Sequence, residues 1–150
     1  MLEQPCPDFT LPSTSEKTFS LAKAKKPLVI YFYPKDNTPG CTNESMAFRD
    51  LYATFGAAGA EIVGISRDSL KSHENFKTKY SLPFELLSDS EETVCNQFDV
   101  IKTKNMYGKK VQGIERSTFV IGADGKIVRE WRGVKVPGHA EEVLALVQSL

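Results

Sequence analysis

Three short apolar runs, at residues 28–33, 61–66 and 84–88, do most to limit what this chain can fold into. The first of them is hydrophobic without alternation, the pattern of a strand covered on both faces. Helical periodicity fills the intervals. Cys41, Ser45, Phe48, Tyr52 and Phe55 step by four, three, four and three residues, so they share one helical face that ends near Gly56 and Gly59. A second helix is expected after Asp68 or Ser69, either of which can cap it, with Phe76 and Tyr80 on its inner face and Pro83 beyond its end. Ser90-Glu91-Glu92-Thr93 opens a short third helix that runs to about Phe98.

The ends of the chain complete the pattern. Segments around Phe9-Thr10-Leu11 and Thr18-Phe19-Ser20-Leu21 read as a small N-terminal hairpin. Residues 117–121 and 126–131 flank Gly122-Ala123-Asp124-Gly125, whose Asp-Gly pair is a strong hairpin signal. From about His139 onward, Val143, Leu144 and Val147 share a face suited to a docking helix. A β-α-β-α-β-α order followed by a hairpin and a helix implies a central mixed sheet with helices on both faces. The expected fold is thioredoxin-like α/β with a short N-terminal β extension. No repeat, linker or low-complexity segment divides the chain, so residues 1–150 are expected to form one domain.

Composition narrows the function. Nineteen basic and nineteen acidic side chains cancel, which gives no electrostatic argument for nucleic acid or an anionic membrane. No apolar run approaches the roughly 20 residues that span a bilayer. The first residues lack the basic start and apolar core of a signal peptide, so a cytoplasmic location is expected. Cys6, Cys41 and Cys95 are an odd number at wide spacings, with no Cys-x-x-Cys pair; a reducing compartment fits better than a disulfide framework. With only His73 and His139 beside them, they offer no metal-ligand spacing.

Cys41 is the candidate nucleophile. It sits at the first turn of a helix behind a Pro/Gly-rich loop, where unpaired amides and the helix dipole favour the thiolate. Pro34 precedes the turn, and Thr38 places a hydroxyl three residues before the sulfur. Such a pocket suits a peroxide: the thiolate attacks one oxygen while donors stabilise the other as it leaves. A guanidinium would complete the site, and Arg116, directly before the strand at 117–121, is the expected source.

These residues carry a resemblance. Pro34-x-x-x-Thr38-x-x-Cys41 resembles the active-site motif of peroxiredoxins, and the longer stretch from Tyr31 to Glu44 resembles the peroxiredoxin Q / bacterioferritin comigratory protein branch. Pro7-Asp8-Phe9-Thr10-Leu11-Pro12, Gly64-Ile65-Ser66, Phe84-x-Leu86-Leu87-Ser88-Asp89 and the segment at 116–121 extend the likeness along nearly the whole chain. The resemblance implies a thiol-dependent peroxidase in which Cys41 becomes a sulfenic acid and is re-reduced by thioredoxin or another thiol. It implies activating roles for Thr38 and Arg116, a shielding role for Pro34 and a supporting role for Glu44. No metal, flavin or haem is implied, and a monomer is expected.

Met46 departs from the commonest family pattern, which places a resolving cysteine there. A thioether cannot condense with a sulfenic acid. An intramolecular partner could then come only from Cys95, which reads as a small hydrophobe beside Val94 and Phe98, or from Cys6. The expectation is a one-cysteine peroxidase; the alternative is a peroxide-sensing module that uses the same Cys41. His73 and His139 read as solvent-facing or capping residues.

Overall fold

A computed structural model describes residues 2–150. Its centre is a seven-stranded mixed sheet in the order β2 (Lys17–Ser20), β1 (Thr10–Ser13), β5 (Glu85–Ser88), β4 (Glu61–Ser66), β3 (Leu28–Phe32), β8 (Ser117–Ile121), β9 (Ile127–Arg132). The three apolar runs supply its middle: β3, β4 and β5 pair in parallel, Val29 opposite Ile62 and Leu87 opposite Ile65. All five residues of β3 are buried, as continuous hydrophobicity requires of a strand with helices over both faces. β8 runs antiparallel to β3, placing Ser117 opposite Phe32, and the Asp-Gly turn returns it as β9. The N-terminal hairpin, β1 and β2, extends the other edge through β5.

Alternation along the strands sorts the core into two layers. Val29, Tyr31, Ile62, Leu86 and Val120 point to one face, where α1 (Pro39–Ala57) contributes Phe48 and Phe55, α2 (Leu70–Lys79) contributes Phe76, and α4 (His139–Gln148) contributes Val143 and Val147. Leu28, Ile30, Phe32, Ile65 and Phe119 point to the other, which α3 (Thr93–Gln97) covers with Val94 and Cys95. Each large apolar side chain buried in this way is worth about 1.5–3 kcal/mol. Gly64 is required by close approach: a Cβ there would lie 2.8 Å from Tyr31 Cζ and 2.9 Å from Leu86 Cδ2.

One element has no apolar signature in the sequence. β6 (Ile101–Met106) and β7 (Lys109–Ile114) form a separate two-stranded ribbon turning at Tyr107-Gly108, both at positive φ. Most of its side chains are exposed on both faces, so neither apolar run nor alternation marks it. Both histidines also differ from expectation. His73 has no exposed surface and His139 is 6% exposed, because each finds hydrogen-bond partners inside the fold rather than in water.

Candidate active site

The site lies at the end of the sheet where β3 and β4 finish and β8 begins. Phe32 ends β3, residues 33–37 form the loop, and Thr38 is the N-cap of α1 with Pro39 opening the helix. Proline is suited there, since its missing N–H would have no intrahelical partner and its φ is already helical. The first helical hydrogen bond runs from Thr42 N to Thr38 O at 2.8 Å. The amides before Thr42 therefore belong to the unsatisfied donors of a helix start, and Cys41 stands among them.

Cys41 is 1% exposed, packed in the layer formed by α1 and α4. Arg116, one residue before β8, reaches across with both arms of its guanidinium. Nη2 donates to Cys41 Sγ at 3.4 Å and Nη1 donates to Glu44 Oε1 at 2.8 Å. Gly40 leaves room for this, because a Cβ there would lie 3.1 Å from Nη2. The residues singled out from sequence thus divide. Cys41, Glu44 and Arg116 meet in one hydrogen-bonded group. Pro34 is half-buried at the start of the loop. Thr38 does not aim its hydroxyl at the sulfur: Oγ1 donates to Lys35 O at 2.9 Å and makes no cap hydrogen bond. Cys95 and Cys6 pack in the layer on the opposite side of the sheet from Cys41.

Electrostatics follow from burial. Glu44 is 1% exposed and its Oε2 has no hydrogen-bond partner. Burial pushes its carboxyl up to about 7, with the Arg116 charge and hydrogen bond pulling the other way. Arg116, in turn, is held above its ordinary value by Glu44 and Cys41 although desolvation opposes them. His139 has Nε2 2.8 Å from Thr118 Oγ1 and meets Trp131 edge-on, and burial lowers its pKa. The Cys6 thiol is pushed up to about 12 by burial, and burial together with Asp89 raises that of Cys95.

The Glu44 shift has a measurable consequence. A carboxyl whose native pKa lies above its unfolded value of 4.5 holds a proton that the unfolded chain releases, so stability falls as pH rises from there to about 7. Glu44→Gln cannot titrate, and should remove up to about 3 kcal/mol of that pH dependence. Guanidinium unfolding of both proteins at about pH 5 and about pH 8 measures the difference; equal slopes would show that Glu44 is already ionised at the lower pH.

Asp36 and His73 belong to a second polar cluster beside the loop, although His73 reads from the sequence as solvent-facing or capping. Asp36 and Asp68 join His73 in a group whose ligand-type atoms lie within 4.8 Å of one another, across sequence separations of 32 and 37 residues. Their lone pairs are taken by the protein's own hydrogens. Asp36 accepts from Tyr33 and Ser72, Asp68 accepts from Asp36 N and Ser66, and His73 Nε2 meets Leu87 O at 2.9 Å. This is the pattern of a structural network, and no metal is assigned to it. The one available signal was Asp36 itself, an acid buried inside the loop motif.

A mixed α/β sheet presenting a sealed cysteine and a guanidinium at a helix start defines a class, the thiol-based redox proteins. Comparison with known proteins gives the family. Residues 2–130 match the AhpC/TSA family, to which this chain belongs. Peroxiredoxin Bcp of Xanthomonas campestris is 53% identical over 99% of this chain and 95% of its own length. Peroxiredoxin Bcp of Bacillus subtilis is 45% identical over 98% and 94% respectively. A solved structure concerned with the alkyl peroxide reduction activity of Xanthomonas campestris Bacterioferritin Comigratory Protein superposes with a TM-score of 0.90, at 51% identity over 94% of this chain and 90% of that one. Such likeness over nearly the full length makes the protein a thiol-dependent peroxidase with a peroxide substrate and a thiol reductant. Among the described residues, no helix is long and apolar enough to cross a membrane.

Proposed function

We propose that the chain works as a single-domain, monomeric, one-cysteine peroxidase acting on hydrogen peroxide and small organic hydroperoxides. The observation that carries the reading is the placement of the three thiols: Cys41 packs in one layer, Cys95 and Cys6 in the other, with the sheet between them. In the first step the Cys41 thiolate attacks the terminal oxygen of ROOH. The S–O bond forms as the O–O bond breaks, and the departing RO⁻ takes a proton to leave as alcohol or water. Arg116 donates to the sulfur before attack and is placed to stabilise the negative charge that passes to the leaving oxygen. Glu44 holds the guanidinium in place, Pro34 shields the pocket, and Thr38 contributes through the helix start rather than through its hydroxyl.

Re-reduction then needs an external thiol. Thioredoxin or another thiol attacks the sulfenic acid, water leaves, and a second thiol releases Cys41 with formation of the reductant's disulfide. The raised thiol pKa of Cys95 and Cys6 supports this reading, because a resolving cysteine attacks as its thiolate. The sealed position of Cys41 also suits the sensing alternative, in which a long-lived sulfenic acid signals to a partner. Peptide mapping of the protein after one equivalent of peroxide, followed by turnover with a thiol reductant, tests both. Sulfenic acid on Cys41 with sustained turnover is expected. A disulfide from Cys41 to Cys95 or Cys6 would overturn the one-cysteine reading, and a single stalled turnover would favour the sensor.

A further inference from the structure

The loop that delivers Cys41 to its helix start is not held by its own cap. Thr38 spends its hydroxyl on Lys35 O, so what fixes residues 34–38 must lie elsewhere. The structure places that anchor one element away. Asp36, five residues before Cys41, turns inward and is 6% exposed, and its carboxylate accepts two hydroxyl hydrogen bonds and meets the His73 ring. Tyr33 OH donates to Oδ1 at 2.6 Å, Ser72 Oγ donates to Oδ2 at 2.8 Å, and His73 Nδ1 lies 2.7 Å from the same Oδ2. The backbone N–H of Asp36 donates in turn to Asp68 Oδ2 at 2.8 Å.

We propose that His73, together with Ser72, is a positioning residue for the peroxidase reaction. Through Asp36 the first turn of α2 clamps the loop, and so sets the orientation of Cys41 against Arg116. The inference rests on Cys41 being the reacting sulfur. His73 suits the role because its second nitrogen is committed: Leu87 O can only accept, so Nε2 carries a hydrogen and fixes the ring against β5. The ring is then a rigid arm from the sheet to the loop, with no exposed surface and Tyr33 OH 3.4 Å from Nδ1. α2 is itself fixed by its own cap, Ser69 Oγ accepting from Ser72 N at 3.2 Å. Asn37 adds an outer tie, its Oδ1 accepting from Lys79 and Tyr80 at 3.3 Å each. The loop therefore leans on α2 at consecutive residues, while α1 supplies it with no side-chain cap.

Two near-isosteric substitutions separate this role from simple core filling. His73→Asn keeps a polar group where Nδ1 sits and loses the tie to Leu87 O; His73→Gln keeps the tie and loses the contact to Asp36. The measurement is the second-order rate of Cys41 sulfenylation by hydrogen peroxide, with the kcat and KM of steady-state turnover and the Tm of each variant. His73→Asn is expected to stay within about threefold of wild type, and His73→Gln to fall by about tenfold or more, whichever of the two is the less stable. Asp36→Asn should match His73→Gln. Ser72→Ala, at a half-buried position that leaves the core intact, should lose a few-fold through the same oxygen. Rates that simply follow Tm, or a His73→Gln protein faster than His73→Asn, would overturn the proposal. If wild type itself forms no Cys41 sulfenic acid, the failure lies in the peroxidase reading instead.

Discussion

Replacing Cys41 with serine should remove thiol-dependent peroxide consumption, lowering kcat/KM by at least about a thousandfold. Serine is nearly isosteric, so the group formed with Arg116 and Glu44 stays in place and only the nucleophile changes. A hydroxyl beside a guanidinium is not ionised at neutral pH and does not form a sulfenic acid. The fold should survive: the site is sealed and polar on one side, and the hydroxyl can accept from Nη2 where Sγ does at 3.4 Å. The controls carry equal weight. Cys95→Ser and Cys6→Ser remove thiols that lie beyond the sheet from Cys41, so each should keep wild-type turnover with an external thiol. Cys95→Ser puts a hydroxyl into a fully buried site, and should cost on the order of 1–3 kcal/mol in stability without touching the rate. Residual activity in Cys41→Ser would move the reaction to another group, and a fall in either control would bring a resolving thiol back.

The contrast between these cysteines shows what can be read from sequence and what cannot. Cys41 was legible because its chemistry is local: a strand, a Pro/Gly loop and a helix start follow one another along the chain, and their order places the sulfur. The parallel strands were legible for a similar reason, since burial on both faces leaves continuous apolar runs. Arg116 needed one long-range step, and the antiparallel pairing of Ser117 with Phe32 brings it to the same end of the sheet as the loop. The β6–β7 ribbon escaped because its strands bury little on either face, and so leave no periodic trace. His73 was misread for the opposite reason. A polar helix segment suggested solvent, but the ring is buried by partners 37 and 14 residues away, Asp36 and Leu87. The Thr38 hydroxyl shows a finer limit: spacing put it three residues before the sulfur, while its rotamer turns it back to Lys35 O.

Arg116→Met should slow the peroxide step by about a hundredfold to a thousandfold, the range typical of losing a donor that stabilises developing charge. The same change should destabilise the protein in a pH-dependent way, and the two effects separate. Breaking one side of a buried ion pair costs about 3–5 kcal/mol when the remaining charge stays buried. Glu44 is the remaining group, 1% exposed against 17% for the Arg116 side chain. Its carboxyl, pushed up to about 7 even with Arg116 present, rises further without it. At about pH 5 it is neutral and the cost shrinks; at about pH 8 it must either bury a charge or take up a proton against the solution. Adding Glu44→Gln to Arg116→Met should therefore recover most of the stability at the higher pH, because neither residue then carries charge. It should recover none of the rate, because no guanidinium donates to the sulfur. Recovery of both together would mean that Arg116 acts only by keeping the site folded. Arg116→Lys resolves the remaining question. One ammonium keeps the charge but has no planar fork to hold the 2.8 Å contact to Glu44 and the 3.4 Å contact to Cys41 together. An intermediate rate would divide the guanidinium's contribution into charge, which lysine keeps, and geometry, which it does not.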